Sequence, residues 1–276
     1  MSVIQVGLVD KTRKLDPQLV QAAAAALNIQ VIRDLPQYWN IQATVLHLPD
    51  PTHIPLGVWP VFLVAKLPPG EGGVHLDKKN QPYSLVIATP DSADWTIDAS
   101  HETVEMLVDP AGNRLQLSRA IEIAGQDVQD GTGEFEYLVE ACDPCEGNQY
   151  AYTIQGVAVS DFITPRFYDP VVTSGTRYSF AGNIQRPRQI LPGGYISFID
   201  QQADEVEQIL FLGSRPVLRK LGSAGGASLR AFVDGKTHAN VRESRKNNRK
   251  LSEWSQTQRK WIHAAAAHKA QSYPVP

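Results

Sequence analysis

The run Ser100-His-Glu-Thr-Val-Glu-Met-Leu-Val-Asp-Pro110 reads as a short, sharply bounded helix. Asp98 or Ser100 offers an oxygen to cap its first amides, and Pro110 ends it, because proline lacks an N–H and disfavours the helical conformation of the residue before it. Side chains four apart share a helix face, so His101 and Glu105 can reach one point in space. Glu102 is turned about 100° aside and Asp109 lies close to the same stripe. A histidine followed by glutamate, with a second metal-capable side chain four after the histidine, suits two ligands clamping an ion while the intervening glutamate takes a proton from its water. Here glutamate stands where the common form of that motif has its second histidine.

Upstream, Ser2 to Val9 alternates as a strand, and Asp16-Pro17 opens an alanine-rich helix through Leu27. Ile29–Ile32, Ala43–His47 and Val58–Val64 read as further short strands. Gly73–Asp77 and Tyr83–Thr89 read as a hairpin. Downstream, Arg119–Ala124 is ambiguous, Gly125–Gly133 reads as a polar loop, and Phe135–Ala141 reads as a strand entering Cys142-Asp-Pro-Cys145. Strand-forming residues return at Tyr150–Val159, Asp161–Tyr168 and Tyr195–Ile199. No internal repeat appears.

The helix ending in Asp-Pro, followed by Glu140-Ala-Cys-Asp-Pro-Cys145, resembles the zincin-like proteins of bacteria and phages. These carry a His-Glu-x-x-Glu helix ending in Asp-Pro and a later Glu-x-x-Asp-x-Cys segment. The resemblance covers residues 1 to about 170. It implies an α+β fold with a small twisted mixed sheet packed on an active-site helix, its edge strand at Gly73–Asp77 or Tyr83–Thr89 facing the cleft. It also implies metal-dependent hydrolysis of a peptide bond in a peptide or protein substrate. Carried over, His101 is the first ligand, Glu105 the second and Glu102 the general base. Asp143 or Glu140 supplies the third ligand, with Asp109 as rival. One imidazole and two carboxylates make a harder donor set than most zinc sites, so Mn²⁺ or Fe²⁺ competes with Zn²⁺.

Three further features carry chemistry. His75, between Val74 and Leu76 on a strand, either faces solvent or points at the cleft to orient a substrate carbonyl. Cys142 and Cys145 have redox-motif spacing, but Glu146-Gly-Asn-Gln follows them instead of the helix whose dipole would stabilise a thiolate. Charge is divided unevenly: residues 1–212 hold 13 Lys+Arg against 26 Asp+Glu, and residues 213–276 hold 13 against 3. This splits the chain into a zincin-like domain, 1–212, and a basic, partly helical extension, 213–276, which contains linker-like glycine and serine from Leu221 to Ser228.

Five of the nine residues from Arg242 to Lys250 are cationic, a composition that suits nucleic-acid phosphate or an acidic protein partner. Trp254 and Trp261 share a helical face that implies docking. With 42% hydrophobic residues the chain can bury a core, and no apolar run is long enough to cross a bilayer. The start of the chain lacks signal-peptide features, so the expected location is cytoplasmic or virion-associated. Three functional readings follow: a metal-dependent hydrolase; a structural or assembly protein of a phage-like particle built on a degenerate zincin scaffold; and a phosphate-backbone-binding protein, which alone predicts steep salt dependence.

Overall fold

Asp16 accepts a hydrogen bond from the Gln18 amide and Pro17 follows it, so the first helix starts where its cap and its missing donor dictate. The computed structural model describes residues 3–67, 73–77, 81–224 and 228–246, and its architecture is mixed α+β. The first half contains β1 (Ile4–Asp10), α1 (Pro17–Ile29), β2 (Ala43–His47), β3 (Val58–Val64), β4 (Gly73–Asp77), β5 (Pro82–Ile87) and α2 (Trp95–Val108). Its sheet runs in the order β2-β1-β3-β5-β4, with β2, β1, β3 and β5 parallel and β4 antiparallel to β5. Val6, Leu8, Val61, Leu63 and Val86 are buried, and α1 and α2 pack on the strands and touch each other. The edge strand is therefore Gly73–Asp77, lying directly against α2.

Two local expectations give way here. Ile29–Ile32 is not a strand: the chain leaves α1 through a π-helical turn, Gln30–Asp34. Leu27, Val31 and Leu35, each four apart, are completely buried, so this β-branched run continues the helical stripe. In addition, α2 begins at Trp95, placing Asp98 in its first turn, and ends at Asp109-Pro110.

The second half adds β6 (Leu115–Ala124), β7 (Asp127–Leu138), β8 (Tyr152–Ile154), β9 (Val157–Val159), β10 (Tyr195–Asp200), β11 (Glu205–Leu212), β12 (Arg215–Gly222) and α3 (Leu229–Lys246). An antiparallel sheet runs β12-β11-β10-β7-β6, and β8 and β9 form a separate small hairpin. The expected loop at Gly125–Gly133 is mostly strand. Only Gly125-Gln126 turns, and Ile123 pairs with a completely buried Val128. The glycines that suggested a loop belong to a bulge, where the register passes from Arg119↔Glu134 to Ile121↔Asp130 and Gly133 takes a φ of 94°. Of Asp161–Tyr168, only an isolated bridge, Ile163↔Ser179, is β; Pro165–Tyr168 is a 3₁₀ turn.

The division at residue 212 falls in the β11–β12 turn, so Arg215–Gly222 pairs into the sheet. Leu229 and Val233 of α3 then bury a small cluster with Leu138 and Val206. The helix expected around Trp254 and Trp261 lies outside the described residues. Among the described residues no helix is long and apolar enough to cross a membrane.

Candidate metal centre

Every residue of α2 except Asp98 is buried, so Glu102 and Glu105 carry their carboxyl groups in the interior. Buried carboxylates demand partners, because an isolated charge removed from water costs several kcal/mol or more. The partners come from three directions: β4, the segment after β7, and the first turn of α3.

His101 faces the segment after β7. Its Nε2 lies 3.0 Å from Asp143 Oδ1 and 3.3 Å from Glu105 Oε1. Asp143 opens a 3₁₀ turn, Asp143–Cys145, with Pro144 inside it, and the Cys142 amide donates to Glu105 Oε1 at 3.1 Å. Gly194 presses on this turn: a Cβ there would stand 2.5 Å from the Asp143 carbonyl oxygen and 2.8 Å from that of Pro144. Gly194→Ala should therefore shift the turn, lowering stability by about 1–3 kcal/mol and weakening metal binding together. Thermal unfolding and a metal titration check this, and an unchanged result in both would remove Gly194 from the site's support.

From the other side, β4 brings His75 into the interior, 4% exposed, with Nδ1 3.7 Å from both Glu102 Oε2 and Glu105 Oε2. Its Nε2 is 3.1 Å from the Asp109 carbonyl oxygen. Glu102 lies against the same strand, so closely that a Cβ on Gly73 would come within 2.7 Å of its Cγ. Two groups of donors result, His101–Glu105–Asp143 and His75–Glu102–Glu105. In each, one donor atom per residue lies within 4.8 Å of the others, and Glu105 belongs to both.

A third partner was not anticipated from the sequence. Arg230, in the first turn of α3 and 5% exposed, donates from Nη1 to Glu105 Oε2 at 2.6 Å. The same nitrogen is 3.3 Å from Glu140 Oε1, and Nε is 3.5 Å from Asp234 Oδ2. The Arg230 amide also donates to the Gly112 carbonyl, and the Leu229 amide to the Asn113 side chain, so α3 is anchored on the loop that follows α2.

The electrostatics follow from this crowding. Burial alone would lower the His101 pKa, but the Glu105 and Asp143 carboxylates beside it raise it well above the ordinary value. Burial would raise Glu105, yet His101 and Arg230 hold it well below the ordinary carboxylate range. Burial and the Glu105 charge push Asp143 up to about 6, and burial with the Asp143 charge lifts Glu140 well above the usual range.

The donors fit a divalent ion. Ligand atoms held at 2.0–2.1 Å by one tetrahedral ion stand about 3.3 Å apart, close to the 3.0 and 3.3 Å found around His101. Asp143 is completely buried; its Oδ1 meets the His101 ring nitrogen at 3.0 Å, and its Oδ2 meets no hydrogen-bond donor among the described residues. Of the expected residues, the fold thus brings together His101, Glu105, Asp143, Glu102 and His75. Asp109 is spent elsewhere: its Oδ2 accepts the Arg114 amide at 2.7 Å and closes the turn after α2. Glu140 belongs to neither group and instead faces Arg230 and the Ser197 hydroxyl. Cys142 and Cys145 are free and buried, and burial raises both thiols well above their ordinary range, the opposite of what a reactive thiol needs.

Compared with models of protein families, with curated proteins and with solved structures, the chain matches none.

Proposed function

We propose that the protein is a metal-dependent hydrolase of zincin-like design that cleaves a peptide bond in a peptide or protein substrate. The observation that carries this reading is the convergence of His101 and Glu105 from one helix with Asp143, a buried carboxylate whose Oδ2 meets no donor among the described residues. A divalent ion held by these three would supply Lewis acidity, polarising a carbonyl and acidifying water. Zn²⁺ suits the geometry, and two carboxylates among three ligands also admit Mn²⁺ or Fe²⁺.

Around that chemistry the chain's own groups have separable tasks. Glu102, whose buried Oε2 has no hydrogen-bond partner among the described residues, is the base that receives a proton from the attacking water. His75, expected to orient a substrate carbonyl, has Nε2 on the Asp109 carbonyl and Nδ1 turned toward Glu102 and Glu105, so its task is to position those carboxylates. The edge strand β4 offers its outer backbone to an extended peptide, which would lie beside both residues.

One observation favours the second reading, a structural or assembly protein of a phage-like particle on a degenerate zincin scaffold. His101, Glu105 and Asp143 are all buried, and Arg230 already neutralises Glu105, an arrangement that suits a closed site as well as a working one. On that reading the basic stretch from Arg242 to Lys250 binds a protein partner or nucleic-acid phosphate, in the cytoplasm or the virion.

Elemental analysis of the purified wild-type chain beside His101→Ala tests the assignment. About one metal ion per chain in the wild type and near none in the variant is the expected outcome. Equal metal in both sinks the ligand set.

A further inference from the structure

We propose that His75, Glu102 and Glu105 form a second divalent-cation subsite whose place is held by the guanidinium of Arg230. The centre would then take one ion where its ligands could take two. This rests on the metal reading of His101, Glu105 and Asp143.

The two donor groups share Glu105 and divide its oxygens between them. Oε1 faces His101 at 3.3 Å, while Oε2 faces His75 at 3.7 Å and Arg230 Nη1 at 2.6 Å. A carboxylate with each oxygen turned to a different imidazole has the form of a bridge between two ions. On the second side, His75 Nδ1 and Glu102 Oε2 are buried polar atoms with no hydrogen-bond partner among the described residues. His75 is 4% and Glu102 3% exposed, so bulk water scarcely reaches them. His75 Nδ1 lies 3.7 Å from Glu102 Oε2 and from Glu105 Oε2, and Glu105 Oε2 is the oxygen that Arg230 Nη1 contacts at 2.6 Å.

Charge explains why a cation must be present. Glu102, Glu105, Glu140 and Asp143 are all buried, and Arg230 is the buried cation that contacts Glu105 and Glu140. Removing it leaves acids that must take up protons or another cation. A guanidinium differs from a metal ion in one functional respect: it does not bind Glu102 as a ligand. Its presence on Glu105 leaves Glu102 free to act as a base, whereas a second ion would bind that carboxylate and silence it.

Loading with Mn²⁺ alone, followed by removal of free ion, measures the metal-to-chain ratio, and electron paramagnetic resonance reports whether two ions are neighbours. The wild-type chain and Arg230→Lys should retain about one ion. Arg230→Gln should retain about two, with the spectrum of a coupled pair, and His75→Ala in that background should return the ratio to about one. Arg230→Met, which keeps the length of the stem, serves if the glutamine variant does not fold. A folded Arg230→Gln chain that stays at one ion overturns the second subsite and leaves the first intact. So does a second ion that survives His75→Ala. No ion in any chain sinks both readings. No ion in the wild type, with one in Arg230→Gln that His75→Ala removes, supports the second subsite and sinks the His101 site.

Discussion

Glu102→Gln is expected to leave metal content unchanged and to lower hydrolytic turnover by about 10²–10⁴-fold, the range that a positioned base contributes. The substitution keeps the shape and length of the side chain, which matters where β4 passes so close that Gly73 has no room for a Cβ. It removes only the ability to hold a proton. Glu102 lies outside the group formed by His101, Glu105 and Asp143, so those donors should continue to bind the ion. Peptide cleavage assayed with metal-loaded wild type and variant, alongside elemental analysis, separates the two effects. Loss of metal in the variant would make Glu102 a ligand, and retained turnover would take the base role from it. The same pair of measurements addresses the assembly reading, which predicts that neither protein turns over.

The sequence made the heart of this site legible because its signals are local. A helix stopped by Asp-Pro, with His101 and Glu105 one turn apart, fixes two side chains on one face whatever the rest of the chain does. The role of Asp109 was not readable, since helical spacing cannot show that its carboxylate would fold back onto the Arg114 amide. Ile29–Ile32 and Gly125–Gly133 misled for opposite reasons: β-branched residues there extend a buried helix stripe, and glycines there form a bulge inside a long strand. Arg230 was hidden by its surroundings, a basic, glycine-rich stretch resembling a solvated tail. A faint signal existed. Ser228 accepts from the Ala231 amide as a helix cap would, Leu229 and Val233 make an apolar pair four apart, and Arg230 precedes Asp234 by the same interval. That pattern describes a helix docked on the body through its first turn.

Without bound metal, the protein should be more stable at pH 5 than at pH 8, by about 1 kcal/mol from Asp143 alone. Burial and the Glu105 charge push Asp143 up to about 6, whereas an unfolded chain releases that proton near pH 3.9; the unfolded carboxyl is already ionised at pH 5, so only the last unit of that gap, about 1.36 kcal/mol, is lost between the two pH values. A carboxyl raised in this way contributes its stability in full below the unfolded value and loses it as the pH climbs through about 6. His101, raised well above its ordinary value despite burial, acts in the same direction: its contribution is complete below about 6.5 and declines as the pH passes its folded value. Glu105, held well below the ordinary range, contributes stability that is lost only under more acidic conditions, outside this interval. For a chain of this size the Asp143 contribution corresponds to a fall in Tm of about 2–5 °C between the two pH values. A bound divalent ion needs His101 and Asp143 without their protons, so its own stabilisation grows with pH and should reverse the trend. Thermal unfolding with excess chelator and with excess Zn²⁺, at both pH values, reads this directly. Greater stability of the chelated protein at pH 8 would mean that the His101–Asp143 pair is not the buried, proton-hungry site described.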